Sequence, residues 1–261
     1  MSIIQSTQLF EFANFLADEA AQISRKYFRK TLQIDSKENK TPVTIADREI
    51  ELRLRELIKQ HYPVHGIIGE EFANSAEQAE FCWVLDPIDG TVAFSAGKPT
   101  FTTLVALLQN NQPLLSVIDQ PISQERFSAS RGGKAHLNQQ ALTTSNIDKL
   151  SDVRLNATTP YMFTTPDEQA KFELLRKQVR LTSFGGDAYA FGLLAAGHID
   201  VIMEADLQYY DIAALMPIIE AAGGVISDWQ GLPLTRDFNG QCLACANYEL
   251  QQLVLALINT K

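Results

Sequence analysis

The chain has 261 residues, 46% hydrophobic and 20% charged, and carries a net charge of −9. No basic run offsets that charge, which excludes general binding to nucleic acid or an anionic membrane surface; no stretch approaches the ~20 apolar residues of a membrane span. The length suits one large domain or two fused halves, and either can bury a sizeable core.

Met1 to Gln5 has no basic region leading into an apolar segment, so no signal peptide is expected. Leu9, Phe12, Ala13, Leu16, Ala20 and Ile23 recur at helical spacing and predict an amphipathic first helix. Residues 35–41 are polar and read as a mobile loop. Thr44-Ile45-Ala46-Asp47 has the form of a capping box ahead of Ile50, Leu54, Leu57 and Ile58, so Asp47 reads first as a cap of its own helix. Ile67-Ile68-Gly69-Glu70-Glu71 reads as a strand ending in adjacent acids, and 73–80 as a solvated connector.

The apolar run Cys82 to Leu85 reads as a short buried strand that stops at Asp86 and Asp89. Pro87 suits the second position of a tight turn, whose ends lie within about 7 Å. Two carboxylates that close repel each other unless a cation sits between them. The Ile88 carbonyl can add a third hard ligand, and Gly90 and Thr91 offer backbone N–H groups and a hydroxyl to an anion. Hard oxygens beside an anion cradle point to Mg²⁺ holding a phosphate.

Phe101 to Leu108 and Leu114 to Ile118 are predicted strands, joined by a turn at Asn110–Pro113. Arg131-Gly132-Gly133-Lys134 is the expected internal boundary, between an α+β half (1–134) and an α/β half (135–261). In the second half strands are expected at Val153–Ala157 and Ile199–Glu204. Helices are expected from Pro166, from Asp187 after Gly185-Gly186, and from Asp211. Asp211 reads as the N-cap of a helix that Pro217 would bend. Cys242 and Cys245 lie three apart in a strand-like run and so face opposite sides, which predicts buried thiols in a reducing cytoplasm. His61, His65, His136 and His198 show no paired metal-ligand spacing.

Asp86-Pro87-Ile88-Asp89-Gly90-Thr91 resembles the signature of the inositol monophosphatase-like, Mg²⁺-dependent, lithium-sensitive phosphatases. Thr41-Pro42-Val43-Thr44-x-x-Asp47 and Gly69-Glu70-Glu71 resemble two further motifs of that family. The resemblance implies a layered αβαβα sandwich of the sugar-phosphatase type, usually a homodimer, acting on a small phosphorylated metabolite. It implies one Mg²⁺ on Glu70, Asp86 and the Ile88 carbonyl, a second on Asp86, Asp89 and Asp211, and a looser third near Glu70 and Glu71. The attacking water would be oriented by Glu70 and Thr91, with Asp47 hydrogen-bonded behind Thr91. Gly90 and Thr91 would hold the phosphate. Tyr210 stands where the family commonly has Trp.

Gly97 to Phe101, Val117 to Ile122 and Gly197 to Asp200 resemble the histidinol-phosphate phosphatase branch, which usually has Lys-Ser-Phe where this chain has Val92-Ala93-Phe94. That branch carries an aspartate at the place of Asp187, where inositol phosphatases carry a small residue, and the family places a substrate-contacting glutamate at Glu204. Substrate contacts are thus expected from Gly90, Thr91, Asp187, Glu204 and Asp211. Acids beyond the metal site suit a substrate with phosphate at one end and a cation at the other, as in L-histidinol phosphate. Inositol 1-phosphate or broad specificity is the alternative, with 3′-phosphoadenosine phosphate behind. An aspartyl-phosphate mechanism needs Asp-x-Asp rather than Asp-x-x-Asp. A regulatory phosphate or Mg²⁺ binder would have lost a ligand, and every expected ligand is present.

Overall fold

The structure, a computed structural model, describes residues 3–30, 34–36 and 42–260, with side chains over 6–30 and 45–260. Helix α1 (Ile3–Tyr27) leads to a two-stranded antiparallel ribbon of β1 (Ile34–Ser36) and β2 (Pro42–Thr44), then to α2 (Ile45–His61). Asp35 and Ser36, expected in a loop, therefore pair as strand. The rest of that loop and Thr41 of the motif ending at Asp47 lie outside the described residues.

A seven-stranded sheet follows, in the order of the chain: β3 (Gly66–Gly69), β4 (Phe81–Asp89), β5 (Thr102–Gln109), β6 (Gln112–Gln120), β7 (Glu125–Ser130), β8 (His136–Leu137) and β9 (Gln140–Ala141), with α3 (Thr91–Ser95) between β4 and β5. The β3–β4 pair is parallel and the others antiparallel. The connector 73–80 is less loose than expected, because Ser75 exchanges both backbone hydrogen bonds with Ile67. Asn110 and Asn111, both at positive φ, make the tight β5–β6 hairpin. The sheet continues past Arg131–Lys134 to Ala141.

The second sheet is built from β10 (Arg154–Ala157), β11 (Leu181–Phe184), β12 (Val201–Glu204), β13 (Val225–Ser227) and β14 (Cys242–Cys245), ordered β11-β10-β12-β14-β13. Between and after these strands come α4 (Pro166–Arg176), α5 (Asp187–Ala195), α6 (Tyr209–Ile212), α7 (Leu215–Ala221) and α8 (Tyr248–Ile258).

Period-two alternation along the strands sets the layers. Trp83, Leu85, Val105 and Leu107 pack with Leu16, Ile50 and Leu54 of α1 and α2. Cys82, Val84, Leu104 and Ala106 face the other way, onto Phe191 of α5 and Ile218 and Ile219 of α7, which also meet Ile202 and Ala244 of the second sheet. That sheet's far face buries Leu155, Val201 and Leu243 against Phe172 of α4 and Val254 of α8. The result is helix, sheet, helix, sheet, helix. Cys242 joins the middle core and Cys245 the outer one, so the two thiols do face apart.

Two local expectations are corrected. The stretch after Leu85 is not a tight turn. Strand β4 runs on to Asp89 through a bulge, Asp86 opposing Leu104 and Asp89 opposing Thr102, so one extra residue sits in β4. Pro87 has no N–H to give a ladder, and its carbonyl accepts from Thr103 Oγ1 at 2.7 Å. Nor is Asp211 an N-cap: it is the third residue of α6, and its Oδ2 accepts from the Gln208 N–H at 2.6 Å. Pro217 bends nothing, because it lies in the first turn of α7, where an N–H has no intrahelical partner to lose.

Candidate active site

The bulge places Asp86 and Asp89 at the end of β4 beneath the start of α6. Asp86 continues the face of Cys82 and Val84, which looks into the middle helix layer, and there Asp211 meets it. Among the described residues, Asp86, Asp89 and Asp211 each bring a carboxylate oxygen within 4.8 Å of the others. Glu70 follows the parallel neighbour β3, whose Gly69 opposes Leu85, and so emerges beside Asp86. It is not one of the close trio.

Crowding shows in the acidities. Burial pushes Asp86 well above the usual carboxylate range, and the charges acting on it are further carboxylates: Glu70, Asp89, Asp211 and Asp47. Burial also raises Asp89, aided by Asp187, Asp211 and Glu204 and opposed by the Ala188 N–H. Asp211 is pushed up to about 7, chiefly by burial. Asp86 is 2% exposed, and its Oδ1 has no hydrogen-bond partner among the described residues. A buried, orphaned oxygen among mutually repelling hard ligands fits a divalent cation.

Next to the trio the chain turns from β4 into α3. Gly90 sits at φ +81°, ψ 43°, a left-handed bend that starts α3. Thr91 Oγ1 donates to the Ile88 carbonyl at 3.1 Å. That carbonyl, expected to be free, thus keeps one lone pair for another partner. Asp47 is buried, in the first turn of α2, and close enough to Asp86 for its charge to be felt.

Asp187 and Glu204 come from the second half. Gly185 and Gly186 (φ +89° and +108°) turn the chain so that Asp187, itself at φ +44°, lies against Gly90. A Cβ at Gly90 would stand 2.9 Å from Asp187 Oδ2. Burial pushes Asp187 up to about 6, against the pull of the exposed Lys98 ammonium. Glu204 ends β12 and is pushed up to about 7 by burial, although Thr158 donates to its Oε1 from Oγ1 at 2.7 Å and from N–H at 3.0 Å. Thr158 and the Ala188 N–H are parts of the site that sequence reasoning missed. Nothing in a lone Thr or a backbone amide signals a partner 46 or 99 residues away.

Residues 5–261 match the inositol monophosphatase family model. The chain belongs to the inositol monophosphatase family. It is 43% identical over 235 residues to a protein of Arabidopsis thaliana named bifunctional phosphatase IMPL2, chloroplastic, covering 88% of this chain and 68% of the relative. It is 33% identical over 244 residues to a histidinol-phosphatase of Chlorobaculum parvum, covering 93% of each. The solved structure of an inositol monophosphatase from Zymomonas mobilis superposes with a TM-score of 0.89 at 38% identity over the full length of both chains. The chain is therefore a metal-dependent phosphatase of this family, and the acidic trio is where the family's metal chemistry fits. No described helix is long and apolar enough to cross a membrane.

Proposed function

We propose that this enzyme hydrolyses L-histidinol phosphate to L-histidinol and phosphate, a step of histidine biosynthesis. The observation that carries this reading is the pair of acids beyond the trio, Asp187 and Glu204, whose charges both reach Asp89. They are held at about 6 and about 7 by burial. A neutral polyol would leave them easily protonated. An ammonium or imidazolium group would keep both ionised and gain two charge-assisted contacts. The histidinol-phosphatase relative supports the same substrate.

In this reading Asp86, Asp89, Asp211, Glu70 and the Ile88 carbonyl hold two Mg²⁺, with a third near Glu70 and Glu71. Bound there, Mg²⁺ supplies positive charge to the phosphate and acidifies a coordinated water. Glu70 and Thr91 orient the attacking water, and Asp47 supports Thr91 from α2. The Gly90 and Thr91 N–H groups hold the phosphate, while Asp187 and Glu204 receive the cationic end. We assign the N-terminal half (1–134) most of the metal ligands and the C-terminal half (135–261) the specificity residues. A cytoplasmic homodimer is part of the proposal; the buried free thiols Cys82, Cys242 and Cys245 suit a reducing compartment.

The deciding measurement is kcat/KM on L-histidinol phosphate against inositol 1-phosphate. The first should exceed the second, and Asp187→Ala should lower it selectively, by roughly 10- to 100-fold for a lost charge-assisted hydrogen bond. Equal rates, or an unaffected variant, would return the reading to inositol phosphate or broad specificity, which the Zymomonas mobilis structure favours by its name.

A further inference from the structure

Beyond Asp47, helix α2 carries two buried charges, Glu51 and Arg55, that the proposed reaction does not use. Asp47, Glu51 and Arg55 recur every four residues and so lie on one helix face. All three are buried, at 1%, 0% and 7% exposure. Asp47 faces the site. Glu51 and Arg55 face the segment that leads into and out of Glu70.

The contacts there are closely interlocked. Arg55 Nε donates to Glu51 Oε1 at 2.7 Å. Glu51 Oε2 accepts the Glu71 N–H at 2.7 Å, and its Oε1 accepts the Phe72 N–H at 3.2 Å. Arg55 spends its two terminal nitrogens on the carbonyls of Phe72 (3.0 Å) and Ala73 (3.2 Å). Its guanidinium lies 5.9 Å from the Phe72 ring, with Arg48 at 5.4 Å. On the near side of Glu70, Gly69 admits the pair: a Cβ there would overlap Glu51 Oε1 and stand 2.8 Å from Arg55 Nη2. The residues flanking Glu70 are thus locked to α2 by two buried charges that neutralise each other.

We propose that Glu51 and Arg55 are positioning residues, a buried clamp that sets the Glu70 backbone at the reach required for a metal ion shared with Asp86. The inference rests on the reading of Glu70 as a metal ligand. A buried ion pair is poorly explained by stability alone, since an apolar pair of similar size often does as well. Here the pair supplies two acceptors and three donors in a fixed planar geometry; one of the resulting bonds joins the pair, and the other four hold one short segment. A lysine at 55 keeps the charge and loses the fork.

The test compares Arg55→Lys, the neutral double variant Glu51→Gln/Arg55→Met, Glu70→Gln, and Leu250→Ala in the distant outer core as a control for destabilisation. Each is titrated with Mg²⁺ alone, by calorimetry and by the rise in melting temperature, and separately for half-maximal activity. Both clamp variants should need roughly 10- to 100-fold more Mg²⁺, the usual effect of losing a group behind a ligand. Their substrate KM at saturating Mg²⁺ should stay close to wild type. Leu250→Ala should lower the melting temperature and leave the Mg²⁺ requirement unchanged. If Glu70→Gln weakens Mg²⁺ binding and neither clamp variant does, the clamp is structural only and the inference falls. If Glu70→Gln itself binds Mg²⁺ like wild type, the metal role of Glu70 falls, and the inference with it. Should Arg55→Lys fail to fold, the double variant, which leaves no unpaired charge, decides.

Discussion

Asp89 Oδ2 accepts a hydrogen bond from the Ala188 N–H at 2.6 Å, tying the bulged end of β4 to the first turn of α5. A negative charge at a helix start is favourable in itself, and this one also joins the two halves of the chain. Asp89→Asn can keep that bond through its amide oxygen while losing the charge. The variant should therefore fold, should be more heat-stable than wild type in the absence of metal, and should lose turnover. A metal-free melting temperature below that of wild type would show that the hydrogen bond outweighs the repulsion.

Mg²⁺ should stabilise the folded protein by mass action. At a hundredfold excess over Kd the gain is about 2.7 kcal/mol, or roughly 5–10 °C in melting temperature for a chain of this size. Asp86→Asn and Asp89→Asn should show much smaller shifts, and Asp86→Asn should lose turnover while staying folded. Equal shifts in all three proteins, read by differential scanning calorimetry, would dissolve the shared site.

The metal-free protein should lose stability as pH rises. Asp187 (about 6), Asp211 (about 7) and Glu204 (about 7) are all raised above their values in the unfolded chain. Their contribution is full below about pH 4, where both states are protonated, and it drains away as pH passes through 6 to 7. In chelator the melting temperature should fall between pH 5 and pH 8, and saturating Mg²⁺ should flatten the slope. A chelated protein that gains stability over that range would contradict the crowding.

Gly90→Ala should be damaging on two separable grounds. The left-handed φ of +81° costs a side chain roughly 1–2 kcal/mol, and the new Cβ would press on Asp187 Oδ2. Combining it with Asp187→Ala should restore part of the stability and none of the backbone cost. A double-mutant cycle in urea measures that coupling; strict additivity would show that the two residues do not press on each other.

Thr158→Val removes the hydroxyl bonded to Glu204 Oε1 and leaves the backbone N–H. With that donor gone, the carboxyl should climb further above about 7 and be less ionised near neutrality. KM for histidinol phosphate should then rise more at pH 7 than at pH 8.5, with KM for inositol 1-phosphate little changed. Parallel shifts on both substrates would place Glu204 away from the cationic end.

Much of this protein was legible in its order of residues because the signals were local. Period-two and helical patterns fall at the core strands and helices, and Asp86-Pro87-Ile88-Asp89-Gly90-Thr91 pointed to an acidic centre once read with the apolar run before it and the carboxylates elsewhere in the chain. The form of that stretch was not legible: a turn and a bulge differ in which strand lies beside them, and β5 alone decided the bulge through the pairing of Asp86 with Leu104 and Asp89 with Thr102. The helix after Asp211 was misread for a similar reason. The Gln208 N–H bonds Asp211 Oδ2 and so places Asp211 inside the first turn of α6, and α7 begins separately at Leu215. Glu51 and Arg55 carried no sequence signal, because charges on an amphipathic helix ordinarily read as its wet face. Only the tertiary fold, which presses that face onto Gly69–Ala73, made them a buried pair. Side-chain type and spacing follow from the chain, but which distant groups share a buried, low-dielectric space follows from packing, and that sharing sets charge, acidity and reach.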